Sequence, residues 1–271
     1  REVAARYGAL SAGAPRRDRG PHETSAPGLR RREWSGDIAQ QHVAFGWRVP
    51  GLTHADAPAL DLAGVALGSG RASRLYRAVR ERQLASSVTA WNYTADDIGV
   101  FVLHAEAPAE RAREATTAMW REVQDARHEG LRAGEVLRAQ RVLEARWLRR
   151  LESMDGQAQY LASWEAEGGL ARASAYYDAL LSLDARQVQQ ALVTHLDPEQ
   201  VSVVSYRPEG AAALVASDDE LRALLAAERT RGSAVMPSPT LVTPAEVTAV
   251  APSGAASAAR RVRVERDVHV Y

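Results

Sequence analysis

Seven histidines are the first candidates for chemistry in this chain: His22, His42, His54, His104, His128, His195 and His269. A zinc site built on one helix needs two of them a turn apart, as in H-E-x-x-H or H-x-x-E-H, so that both rings face one ion. No pair has that spacing. His22-Glu23 and His128-Glu129 are simple neighbours without a second histidine. His104 and Glu106 share a strand face, but a zinc deaminase would add P-C-x-x-C, and the chain has no cysteine. Each histidine therefore reads as a surface or structural residue. Gly68-Ser69-Gly70 is a lone G-x-G with neither a third spaced glycine nor a following G-K-[ST], so a phosphate cradle is not expected. No G-x-S-x-G elbow is present, and Asp96-Asp97 and Asp218-Asp219 stand in turn or cap contexts. By motif, the chain holds no self-sufficient active site.

Composition narrows the classes further. The absence of cysteine excludes a disulfide scaffold and a thiol nucleophile, and is compatible with cytoplasm or periplasm alike. Lys+Arg and Asp+Glu are both 34, which argues against a general nucleic-acid binder. Every basic residue is arginine, a habit that GC-rich coding explains. No apolar run approaches the roughly 20 residues of a membrane span.

The elements that must position any site follow from periodicity. Residues 41–49 read as a strand with Val43, Phe45 and Trp47 on one face, ended by Pro50-Gly51. Asp56 and Pro58 start a helix through Leu67, which Gly68-Ser69-Gly70 breaks. A second helix is expected from Ala72 past Leu84, then a hairpin of residues 87–93 and 100–105 around a turn at Asp96-Asp97. Four helices follow: one opened by Pro108, a long one from Val136 to Gly168-Gly169, a shorter one over residues 173–181, and one capped by Asp184. A last strand covers residues 201–206. The order β-α-α-β-β-α-α-α-α-β predicts an α+β fold, a small, mostly antiparallel sheet with helices packed on one face.

The ends read differently. Residues 1–36 look like the tail of a preceding domain plus a linker, with the Pro/Gly/Arg-rich stretch 13–32 as the linker proper. The central domain is expected at 37–207, a helical extension at 208–232, and a linker with the first strand of a following domain at 233–271, where Val262, Val264, Val268 and Val270 alternate with polar residues. The chain reads as a segment of a longer protein.

One block is distinctive. Pro50-Gly51-Leu52-Thr53-His54-Ala55-Asp56 precedes Leu67-Gly68-Ser69-Gly70-Arg71-Ala72-Ser73-Arg74-Leu75-Tyr76, then Val79-Arg80-Glu81 and Gln83-Leu84-Ala85-Ser86-Ser87-Val88. Together with the helix order over residues 37–207, it resembles the non-catalytic domain of pitrilysin/insulinase-type zinc metallopeptidases, the group that includes mitochondrial processing peptidase. The resemblance implies a clamshell. A catalytic half, in cis or as a partner subunit, carries H-x-x-E-H and the zinc. This half lacks those ligands and closes over a peptide substrate, so the segment holds no cofactor of its own.

In many members of that family, an arginine and a following tyrosine of the non-catalytic half contact the substrate. The arginine falls on Arg80. The tyrosine falls on Ser86, or on Ser87 if the gap is placed differently, and Tyr93 is the nearest phenol that could reach the same space. A serine hydroxyl is shorter and lacks the phenol that could support an oxyanion. Ser73, Arg74 and Tyr76 are expected to hold the helix start. The alternative reading is an inactive, peptidase-like scaffold, as in the core subunits of respiratory complex III.

Overall fold

The computed structural model describes residues 1–11, 13, 28–95 and 98–230. The turn at Asp96-Asp97, His22, His269 and the C-terminal strand expected from Val262 lie outside the described residues.

β2 (Gln41–Pro50) and β4 (Ile98–Ala107) form the centre of the sheet. Their alternation settles its two faces. Val43, Phe45, Trp47 and Val49 of β2 are buried, as are Phe101, Leu103, Ala105 and Ala107 of β4. β2 and β4 pair antiparallel over ten residues, from Gln41 opposite Ala107 to Pro50 opposite Ile98. β3 (Ser87–Thr94) continues the hairpin on one side. On the other side β5 (Ser202–Pro208) pairs antiparallel with β2, and β1 (Arg30–Gly36) pairs parallel with β5. The sheet order is β1-β5-β2-β4-β3, with one parallel pairing among four.

The helices cover the apolar face. α2 (Ala57–Gly68) buries ten of its residues, with Pro58 in its first turn. α3 (Ala112–His128) brings Trp120 against Phe45 and Trp47 at ring-centroid distances of 5.5 and 6.1 Å. α4 (Ala133–Arg150), α5 (Met154–Ala166), α6 (Leu170–Ser182), α7 (Ala185–His195) and α8 (Asp218–Thr230) complete the layer. The fold is the expected α+β arrangement, helices on one face and an open face opposite. A first short helix, α1 (Glu2–Tyr7), buries none of its residues.

Three local features differ from the sequence reading, each for a visible reason. The long helix past Val136 breaks at residues 151–153, where Ser153 caps α5 by accepting the Gly156 N–H at 3.0 Å. Asp56 does not cap α2 through its side chain; its carboxylate instead takes a hydrogen bond from His195 at 2.7 Å. β1 lies inside the stretch read as tail and linker. Its inward residues are the charged Arg31 and Glu33, so no apolar alternation announces it. They are held by ion pairs, Arg31 to Asp218 at 3.0 Å and Arg207 to Glu33 at 3.2 Å. The Asp184 cap stands as expected, closing a capping box with Gln187.

Candidate functional site

The segment between α2 and β3 is short and tightly wound. Ser73 is buried and its hydroxyl donates to the Gly70 carbonyl at 2.7 Å. Gly70 has φ +78°, a left-handed conformation that glycine adopts without a Cβ penalty. Arg74 grips α4, donating two bonds to the Glu135 carboxylate at 2.9 and 2.8 Å and one to the Gly130 carbonyl at 2.8 Å. Ser73 and Arg74 thus anchor the start of the segment. Leu75 and Val79 are fully buried beneath it.

Where an α-helix was expected to run past Leu84, Tyr76–Arg80 form one π-type turn, marked by Glu81 N–H on the Tyr76 carbonyl at 2.9 Å and Leu84 N–H on the Val79 carbonyl at 3.0 Å. A π-turn holds one residue more than an α-turn and is frequent at functional sites. The chain then reverses through Gln83, which has φ +57°.

Arg80 is the last residue of this turn. It is exposed, and its guanidinium makes no hydrogen bond or ion pair with a described residue. Ser86, also exposed, lies just before β3. Its N–H donates to the Glu106 carbonyl at 2.8 Å, and its hydroxyl lies against both that carbonyl, at 3.0 Å, and the Gln40 side-chain oxygen. Arg80 and Ser86 flank the same reversal, and no hydrogen bond joins their side chains. Tyr93 sits at the opposite end of β3, seven residues or roughly 20 Å of extended chain from Ser86. It does not supply the missing phenol.

On the far side of α2, a groove of about 620 Å³ runs between α2, β3 and α4, walled by Asp61, Trp91, Asn92 and Arg146. Asp61 accepts hydrogen bonds from Tyr176 and from Asn92. Burial pushes its carboxyl up to about 6 even though both bonds pull it down.

The structure also gathers histidines that the sequence left apart. His195 bonds Asp56, whose backbone N–H donates to His54 Nδ1 at 3.1 Å. On the open sheet face, β2–β4 register places His42 opposite Glu106 and next to His104, with His42 Nδ1 3.2 Å from His104 Nε2. Only the His104–Glu106 alternation was visible beforehand. Neither group is a helix-borne H-x-x-E-H pair, and no step of zinc hydrolysis can be derived from this chain.

The family model for the Peptidase M16 inactive domain matches residues 6–143, which include α2, the π-turn, the β3–β4 hairpin and most of α4. The chain belongs to that family. Solved structures share the fold. A protease from Helicobacter pylori is 21% identical with a TM-score of 0.68, over 76% of this chain and 51% of its own. The inactive peptidase domain of a proposed zinc protease from Bordetella parapertussis is 20% identical with a TM-score of 0.58, over 64% of this chain and 93% of its own. Complex III from Candida albicans contains a chain 14% identical with a TM-score of 0.59, over 72% of this chain and 49% of its own. This chain thus spans about half the length of the H. pylori protease. No curated protein sequence matches it.

The match makes this chain an inactive domain of the M16 peptidase family. Among the described residues no helix is long and apolar enough to cross a membrane.

Proposed function

We propose that this domain encloses a peptide substrate against a catalytic, zinc-bearing H-x-x-E-H half supplied in cis or by a partner subunit. The observation that carries the reading is the guanidinium of Arg80, without a partner among the described residues, presented on the π-turn at the position of the family's substrate-contacting arginine. A planar five-donor group with no ionic partner among the described residues suits a peptide carbonyl or carboxylate. The underlying segment is fixed by Ser73, Arg74, Leu75 and Val79, so the side chain extends from a positioned backbone.

Arg80→Ala in the assembled peptidase tests this. A charge-assisted hydrogen bond is worth about 1.5–3 kcal/mol, so kcat/KM should fall by about 10–100-fold while thermal stability stays unchanged. Unchanged turnover across several peptides would remove Arg80 from the substrate site.

A scaffold role is the second reading, and Ser86 favours it. The hydroxyl at the family's tyrosine position is turned into the fold, onto Gln40 and the Glu106 carbonyl, rather than left free. An H-x-x-E-H sequence in the parent protein or an adjacent gene supports the peptidase; its absence from both leaves the scaffold.

A further inference from the structure

The open face of the sheet carries one cross-strand row, read directly from the register: Trp34 of β1, Tyr206 of β5, His42 of β2, Glu106 of β4 and Ser87 of β3. His104 stands two residues before Glu106 on β4, so it projects from the same face. Thus two imidazoles and a carboxylate converge from adjacent central strands. One donor atom from each lies within 4.8 Å of the others.

We propose that His42, His104 and Glu106 form a binding site for a first-row divalent transition ion, with zinc as its representative. Two nitrogens each about 2.0–2.1 Å from a zinc, at a near-tetrahedral angle, lie about 3.3 Å apart. His42 Nδ1 and His104 Nε2 are 3.2 Å apart. Without an ion a single N–H···N bond accounts for that distance; with one, both nitrogens turn their lone pairs to the metal. The rings are held near-parallel, 23° between planes, and the edge of Trp91 packs on His104.

Two further observations favour the ion. The Glu106 carboxylate is half-buried and makes no hydrogen bond or ion pair with a described residue, leaving a negative charge for a cation. Its own torsions give it the reach to close on the nitrogens. The face is open, so solvent or a substrate group can fill the remaining position. Imidazole nitrogen with one carboxylate suits zinc, nickel or cobalt, not magnesium or calcium, which take oxygen ligands.

The group of His54, Asp56 and His195 also meets the distance criterion, but its donors are spent on one another. His54 Nδ1 accepts the Asp56 N–H and the Asp56 carboxylate accepts from His195 Nε2, which ties the end of α7 to the start of α2.

The site lies beside Ser86 but does not depend on the substrate-enclosing role, and its test needs no peptidase activity. Zinc chloride is titrated calorimetrically into the metal-stripped 271-residue chain at pH 7.5. One-to-one saturable binding is expected. Loss of an outer partner of a metal site typically costs 10–100-fold in affinity, so removal of a ligand by His42→Ala, His104→Ala or Glu106→Gln should weaken binding at least about tenfold. His54→Ala and His195→Ala should bind as the parent chain does, and magnesium should not bind. His104→Gln replaces His104→Ala should the latter fail to fold by circular dichroism. No saturable zinc binding in the parent chain, or undiminished binding in folded His42 and His104 variants, overturns the proposal.

Discussion

Arg74 and Arg80 stand on the same short segment and differ in everything but type. Arg74 is tied to Glu135 of α4 and to the Gly130 carbonyl in the loop before it, while Arg80 projects free of described partners. The family block in the sequence made both positions visible, but the anchoring of Arg74 comes from Glu135, 61 residues further along the chain. The histidine group on the open face was not legible for the same reason. His104 and Glu106 alternate on one strand, but their conjunction with His42 is a fact of register between β2 and β4.

Asp61 gives a pH-dependent prediction at this scale. Its carboxyl is raised from 3.8 to about 6 in the folded protein, chiefly by burial. The folded state therefore holds the proton more tightly than the unfolded one. The stabilisation from this group is full below about pH 4 and is lost as pH rises through 6. Asp61→Asn should flatten the fall in stability between pH 4 and 7, and should raise stability at pH 7.5 by about 1–2 kcal/mol relative to the parent chain. Denaturant titration at a series of pH values measures it. An unchanged pH slope would place the raised carboxyl elsewhere; Glu122, which burial pushes up to about 7, is the next candidate.

At the scale of elements, α2 is the piece that fixes the segment carrying Arg80. Its last residue is Gly68, where nothing larger fits: a Cβ there would stand 2.0 Å from the Ala90 backbone nitrogen of β3. Just beyond, Arg138 of α4 donates to the Ser69 carbonyl at 2.9 Å and the Ala66 carbonyl at 3.2 Å, satisfying acceptors that a helix end leaves open. Gly68→Ala should therefore force α2 away from β3 and cost about 2–4 kcal/mol, more than an ordinary overpacking. Thermal unfolding of the variant checks this; a change below about 0.5 kcal/mol would mean the two backbones can slide apart freely.

The glycine-serine-glycine break was readable as a helix stop, β2 by the spacing of Val43, Phe45 and Trp47, and β4 as the second strand of a hairpin. The π-turn was not, because Leu75 and Val79 keep the four-residue step of an α-helical stripe, and only the five-residue step on to Leu84 departs from it. What decides between the two is the tight reversal at Gln83, imposed by β3 starting so soon afterwards.

For the molecule as a whole, the domain closes with pieces at both ends of the described chain. α8 packs on α3, where Leu221 and Leu225 are buried and the buried Trp120 indole N–H donates to the Leu225 carbonyl at 3.0 Å. An extension by sequence, α8 is part of the core by packing. Leu221→Ala should destabilise by about 2–4 kcal/mol, the cost of a cavity against Trp120 and its neighbours. Chemical denaturation followed by tryptophan fluorescence measures it, and a cost under about 1 kcal/mol would mean that α8 is only loosely applied.

β1 closes the opposite flank, and its unusual make-up has a consequence for how copies of this protein meet. A terminal strand exposes a row of unpaired amides and carbonyls that can recruit a further strand from another molecule. Here that rim reads Arg30-Arg31-Arg32-Glu33, charged on both sides of the strand and cross-braced by Asp218 and Arg207. A strand adding to it would have to lay apolar residues over ionised groups on either face. The arginine-rich stretch that disguised β1 as a linker thus doubles as a guard against end-to-end stacking of sheets.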